Sequence, residues 1–531
     1  MFGAFLIRFS RTVSFAFPAI LALFIQLQFF GASQPPPWPD EALFSNPAAE
    51  LARGNGFRTE VLHGLVPGME NATLWNSPLY MVGLSGIYRI TGESLTAGRL
   101  FSAFIAVAVL LLLTWMLQNL QTDRAFLFLA PLVLALDPAF VRGANVLRMD
   151  GLCLFFCMLS LHFAMQAFRK KDQYSFLSGV ALGLAALSHP AALYGVVFVL
   201  LFHLFRWRGL FFAFCGLLLA MSPWLAYIAE HPHIFQVQFV SQLMRKSGLL
   251  SLWGGPTGGM FVVFTSQFGG GFLSMLLVSG LCAIAGLLLI RLWMHLLKIA
   301  RSENDATDAS TLESGQENGP LPGGWFSVLL QQLRSNSLFL LSLCWPLVTA
   351  FILLSVEGWY AMHSFPYLIL STAAFLSLPY RKETLRNQAT FLFRILAIGL
   401  IALSGLSAFR QLAARSPEVV RNALHTMTDY TADCKSVYAR MVPDPYFAIL
   451  RARPATKYFE FVPARLSFPT DQVDPFRVYD QIDCFILERS GKQDGPVDQY
   501  LDHRMDQFLR IPLAFSPPAA SGELFIRREK D

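Results

Sequence analysis

Two carboxylates stand side by side just after the first apolar run, in Pro35-Pro36-Pro37-Trp38-Pro39-Asp40-Glu41-Ala42. Prolines and an aromatic hold such a stretch stiffly at a membrane interface, so Asp40 and Glu41 emerge just beyond it. A carboxylate there can take a proton from a hydroxyl. It can equally open a helix, since Asp is a good N-cap and Glu suits a first turn. A second charged pair, Arg148 and Asp150, lies in Asn145-Val146-Leu147-Arg148-Met149-Asp150 and can balance an anion or bind itself. A polar turn, Trp359-Tyr360-Ala361-Met362-His363-Ser364-Phe365-Pro366-Tyr367, adds a phenol and an imidazole.

The elements that must position these groups are membrane spans. Hydrophobic residues make up 54% of the 531 residues and charged ones 14%, too apolar for one soluble core. Thr12–Ala32, Leu100–Leu117, Gly151–Phe168, Gly209–Ala229, Asn336–Val356 and Gly358–Tyr380 lack Asp, Glu, Lys and Arg. Each is about 18 residues or longer, enough for a hydrocarbon layer of roughly 30 Å. Arg8 and Arg11 precede a first run too long for a signal peptide, so an uncleaved span is expected. The net charge of +6 does not indicate nucleic acid, because Lys and Arg sit in short clusters between apolar runs.

Tyr174–Phe205 carries no formal charge and would make a helix about 48 Å long, so a break at Ser188-His189-Pro190 is expected. Two short spans put Arg206, Arg208, Lys298, Arg301, Arg334, Arg381, Lys382 and Arg386 inside, against Arg245 and Lys246 outside. The spans are then 12–32, 98–117, 124–140, 150–168, 174–189, 190–206, 209–228, 270–296, 336–356, 362–380 and 389–409, about eleven in all. The expected fold is a polytopic α-helical bundle over 1–410. It has outer loops at 33–97 and 229–269 and a cytoplasmic linker at 300–335 whose 302–324 stretch reads as disordered. Residues 411–531 read as a small extracytoplasmic α/β or mostly-β domain, with Tyr446–Leu450, Ile482–Leu487 and Leu524–Arg527 as short strands. Cys434 and Cys484 alone among the seven cysteines lie outside apolar runs, and they can pair in an oxidising compartment.

The order of these features resembles the GT-C membrane glycosyltransferases, in particular the dolichyl-phosphate-mannose–protein mannosyltransferase-like superfamily with its aminoarabinose transferases. The resemblance covers roughly residues 10–410. It rests on Asp40-Glu41 after the first span, Pro78-Leu79-Tyr80 opening a short helix, Arg148-x-Asp150 before the fourth span, and Tyr360…His363…Pro366 before the tenth. It implies transfer of a sugar from a polyprenyl-phosphate donor to a hydroxyl of a lipid, glycan or protein at the outer membrane face. Asp40 matches the family's general base, with Glu41 supporting or replacing it, and Asp150 matches its second acidic position. Arg148 and His363, with Tyr360 as a hydrogen-bond donor, would stabilise the departing phosphate. The setting implied is a bacterial inner membrane, with active site and C-terminal domain on the periplasmic side.

Some relatives bind a divalent ion in the outer loops, which leaves a metal open here, although scattered outer-loop carboxylates and histidines are more often simply solvated. Glu60, Glu70, His63, His231 and His233 are the outer-loop ligands at hand, without a recognisable spacing. His189 and His203 lie inside apolar runs, where an ionisable residue is functional by default, although His189 also sits at the helix break. A transporter or lipid-sugar flippase is the competing class. It would carry charges in mid-span, whereas these gather at span ends.

Overall fold

The computed structural model describes residues 2–30, 35–169, 173–203, 206–247, 365–377 and most of 417–528, with Leu341, Met362, His363 and a few residues of 390–406 between them. Tyr360, the linker 302–324, the span expected at 270–296 and all but Leu341 of the one expected at 336–356 lie outside the described residues. Helix α1 (Phe2–Phe30) is followed by the short α2 (Pro39–Arg53) and α3 (Leu79–Thr91), then by α4 (Leu95–Asn119). Next come α5 (Arg124–Leu136), α6 (Pro138–Asn145), α7 (Asp150–Arg169) and α8 (Gln173–Ser188). The bundle continues through α9 (Leu193–His203), α10 (Trp207–Glu230), α11 (Pro232–Ser247) and α12 (Phe365–Ser377).

Among the described residues, Leu6–Leu27, Leu95–Asn119, Asp150–Phe168 and Trp207–Glu230 are long and apolar enough to cross a bilayer. The protein is therefore an integral membrane protein, mostly helical; the full span count extends into residues outside those described. The run expected to break at Ser188-His189-Pro190 does so: α8 ends at Ser188, a single 3₁₀ turn covers Pro190–Ala192, and α9 follows. The segment expected as a span at 124–140 is apolar enough for one but is bent: its first helix, α5, stops at Leu136. Pro138 cannot extend α5, and Asp137 accepts the Phe140 N–H at 2.9 Å, so α6 starts afresh with a 65° bend. Helices α8 and α10 touch through glycines. A methyl on Gly179 would collide with the Ala213 carbonyl, and one on Gly216 with that of Phe176.

The C-terminal part holds α13 (Pro417–Tyr430), β1 (Ser436–Arg440), α14 (Tyr446–Ala452), β2 (Lys457–Glu460) and α15 (Pro475–Tyr479), then β3 (Cys484–Glu488), α16 (Pro496–His503), β4 (Phe508–Leu513) and β5 (Gly522–Arg527). The five strands form one mixed sheet in the order β2-β1-β3-β5-β4, parallel across β2, β1 and β3 and antiparallel from β3 through β5 to β4. The parallel centre is apolar and buried, as helices on both faces require. The segment Tyr446–Leu450, read above as a strand, is helical. Asp444 Oδ1 accepts the Tyr446 N–H at 2.8 Å, and Tyr446 and Ile449 bury one helical face rather than alternating. Cys434, ahead of β1, is joined by a disulfide to Cys484 at the start of β3.

One face of this sheet packs almost entirely within the C-terminal part, on Tyr479, Tyr500 and Leu501, while the other face shares its core with the rest of the protein. Ala42 and Leu43 of α2, with Val61, Leu62, Val66, Met69 and Trp75 of the first outer loop, pack into the same apolar cluster as Val437, Tyr446, Ile449 and Ile486. The opposite side of α2, with Phe44, Ala48 and Ala49, packs on Tyr80 and Leu84 of α3 and on Leu147 and Met149. Helix α2 is thus the layer between sheet and bundle.

Two acids are buried where sheet and loop meet, Asp444 and Glu460, 2% and 0% exposed. Without a proton, Asp444 Oδ2 and Glu460 Oε2 have no hydrogen-bond partner. Burial first, and then the neighbouring Asp444 charge, push the Glu460 carboxyl well above its usual range. A carboxyl raised on folding contributes stability at low pH and loses it as pH rises through the folded value. Thermal unfolding of the purified protein across pH 4–9 should therefore show Glu460→Gln gaining on wild type as pH rises. Parallel curves for the two proteins would contradict this.

Candidate functional site

The sequence of α2 explains how neighbouring acids part. Pro39 takes the first helical position, where its missing N–H is harmless, and Glu41 Oε2 accepts the Trp38 N–H at 3.1 Å, closing the turn. Successive residues on a helix point about 100° apart. Glu41 turns inward and is 0% exposed. It accepts from Arg99 Nε at 2.9 Å and Nη2 at 2.7 Å, and from the Leu147 N–H at 2.9 Å. Asp40 turns to the open side, partly exposed, and pairs with Arg148 Nη1 at 2.8 Å.

Arg148 is a bridge. Its Nε also donates to Asp150 Oδ2 at 2.8 Å, so one guanidinium joins two carboxylates. The other Asp150 oxygen, Oδ1, lies 3.4 Å from His363 Nε2, and the His363 ring stacks on that of His189 at 6.1 Å. Of the residues expected to act together, Asp40, Arg148, Asp150 and His363 form one connected chain. Glu41 lies beside it but is committed to Arg99 and the backbone. Tyr80 is fully buried beneath, its hydroxyl 2.8 Å from that of Ser102, and burial raises its pKa.

Arg142 was not anticipated. It is exposed on α6 with its guanidinium 5.7 Å from the Trp38 ring, and it interacts electrostatically with Arg148, Asp40 and Asp150. A lone charge in the otherwise apolar 138–147 stretch was the available signal. His203, by contrast, is a structural residue at the far end of the bundle, bonded to the Val199 carbonyl at 2.9 Å and the Ser175 hydroxyl at 3.0 Å.

A cation would find ligand atoms of Asp150, His189 and His363 within 4.8 Å of one another, all buried. His189 Nδ1 accepts the Ala191 N–H at 2.9 Å, which leaves the neutral ring's proton on Nε2. A metal would thus be held by Asp150 and His363, and by His189 only at the loss of its helix cap. Bound there, it would neutralise phosphate charge. The loop ligands do not converge: among the described residues Glu60, Glu70, His63, His231 and His233 form no such group. Glu60 is tied instead to Arg58 and His63.

Residues 76–227 match the family model of dolichyl-phosphate-mannose-protein mannosyltransferase, and the chain is similar to that family over this stretch. The matched stretch takes in α3 through most of α10, with Arg148 and Asp150, and begins after Asp40 and Glu41. Among solved structures, the chain is similar to ArnT from Cupriavidus metallidurans bound to undecaprenyl phosphate, with a TM-score of 0.46 and 14% identity over 97% of this chain and 98% of that one. The apo form of that protein gives the same score and identity, over 97% of each chain. The S. cerevisiae protein O-mannosyltransferase Pmt1-Pmt2 complex bound to its sugar donor gives a TM-score of 0.28 and 16% identity, over 47% of this chain and 36% of that one. No curated protein sequence matches the chain.

The pairing of Glu41 with Arg99 gives a stability prediction. Removing one partner of a buried ion pair strands the other charge and costs about 3–5 kcal/mol. Arg99→Met should therefore lower the thermal midpoint sharply. Asp40→Asn should leave it nearly unchanged, because that pair is partly solvated. Equal midpoints for the two variants in detergent would refute the division of roles.

Proposed function

We propose that this protein is a membrane glycosyltransferase that moves a sugar from a polyprenyl-phosphate donor to an acceptor hydroxyl on a lipid, glycan or protein. The carrying observation is the linked series Asp40–Arg148–Asp150–His363 at one end of the bundle. The match of residues 76–227 to a mannosyltransferase family model supports the same class. Among the described residues the charges gather at helix ends rather than along a path through the spans, which favours interfacial chemistry over transport.

In this reading the acceptor oxygen attacks the sugar's anomeric carbon and gives its proton to the Asp40 carboxylate. The bond from that carbon to the phosphate oxygen breaks, and the leaving polyprenyl phosphate gains a negative charge. Arg148 balances that charge, and Arg142 adds a second cation near the same mouth. Asp150 holds the Arg148 fork and the His363 ring in place. Tyr360, whose position lies outside the described residues, is assigned to the donor phosphate on the family resemblance alone. The reaction is placed at the periplasmic face of a bacterial inner membrane, with the C-terminal domain on the same side.

Removing a general base costs about 10²–10⁴ in rate, so Asp40→Asn should lose transfer to that degree while still binding donor lipid. Near-wild-type transfer to a hydroxyl acceptor would end this mechanism. For orientation, a cysteine placed at Gln499 should react with an impermeant thiol reagent on intact cells, and one at Ser310 should not. The reverse labelling pattern would overturn the assigned face.

A further inference from the structure

We propose that the turn Pro443–Tyr446 of the C-terminal domain is a positioning element of the reaction centre, with Tyr446 as the positioning residue that sets the reach of Asp40; this rests on the reading of Asp40 as the base. Asp40 sits in the first turn of α2, so the carboxylate goes wherever that turn is held. The bundle holds it from inside through Glu41 and Arg99. The C-terminal domain holds it from outside at two places. The Asp444 N–H donates to the Pro37 carbonyl at 2.8 Å, directly ahead of Trp38 and Asp40. The Tyr446 hydroxyl donates to Glu93 and accepts from Asn46 Nδ2 at 3.4 Å, further along α2.

Glu93 is the node of this clamp. It stands in the short connection between α3 and α4 and also accepts from the Ser45 hydroxyl at 3.0 Å and Arg53 Nη2 at 2.6 Å. Three α2 side chains are thereby referred to one acid, two directly and Asn46 through Tyr446. Asp444 is itself fixed: its Oδ1 takes the Tyr446 N–H and the Tyr458 hydroxyl, each at 2.8 Å. The Tyr446 ring needs no hydroxyl to stay in place. It is fully buried, with edge contacts to Phe447 at 4.9 Å and Tyr458 at 5.1 Å. The hydroxyl is thus free of the ring's packing role and links segments more than 350 residues apart in sequence (separation 353).

Tyr446→Phe keeps the ring and removes the link. Measured on the full-length protein with a polyprenyl-phosphate sugar, it should lower kcat about tenfold, since small displacements of a reacting group carry such losses. Donor KM and thermal midpoint should stay near wild type. In an Asp40→Asn background the same change should cost nothing further, because there is no base left to position. An unchanged kcat in Tyr446→Phe, with Asp40→Asn inactive, would overturn this inference alone. So would a tenfold loss that persists on top of Asp40→Asn, or one that tracks a fall in thermal midpoint. Wild-type transfer by Asp40→Asn would remove the base reading and this inference with it.

Discussion

Glu41 and Arg99 meet as a two-pronged ion pair with essentially no access to water, and the geometry of the centre follows from it. A carboxylate buried alone would give up its charge or unfold its surroundings. Here both Arg99 nitrogens, the Leu147 N–H and the Trp38 N–H saturate it. These donors come from α4, from the bend leading into α7 and from the α2 turn itself. One side chain therefore ties together three segments that are distant in sequence, and it fixes how α2 is rotated. Because helical neighbours diverge by about 100°, burying Glu41 obliges Asp40 to face the opening where Arg148 waits.

Arg148 makes the centre electrically adaptable. Held between Asp40 and Asp150, its charge is compensated before any ligand arrives, which lets a guanidinium rest half-buried beside a membrane. Asp40 and Arg148 are coupled through one hydrogen bond, and Arg148 and Asp150 through another, so the position of each carboxylate is tied to that of the shared guanidinium.

The C-terminal sheet belongs to the same assembly. The apolar cluster on one of its faces includes side chains of α2 and of the first outer loop, whereas the cluster on its other face is almost wholly its own. A sheet with one face completed by α2 contributes its packing to the placement of that helix. The buried carboxyls Asp444 and Glu460 lie at this seam, where burial raises both above their usual range.

Much of this was legible in the sequence because it is local. Uncharged length announces α4, α7 and α10 through the thickness of the bilayer; Pro190 announces the end of α8; the position of Cys434 and Cys484 outside apolar runs announces their pairing. The Arg148-x-Asp150 pairing was visible for the same reason, since two side chains two residues apart at a helix start reach each other without help from the rest of the chain. What the sequence left open was every choice between equivalent neighbours and every long-range partner. Asp40 and Glu41 are indistinguishable by type and spacing, and only Arg99, brought in by α4, separates them. Tyr446–Leu450 runs apolar enough to pass for a short strand until a turn closed by Asp444 and the seam with α2 make it a helix. His189, His363 and Asp150 converge from three separate helix ends, and Arg142 reaches Trp38 across a bend. Spacing along a chain encodes only what lies within a few turns; which of two adjacent acids is buried, and beside which charge, is decided by the packing of segments the sequence does not show to be near.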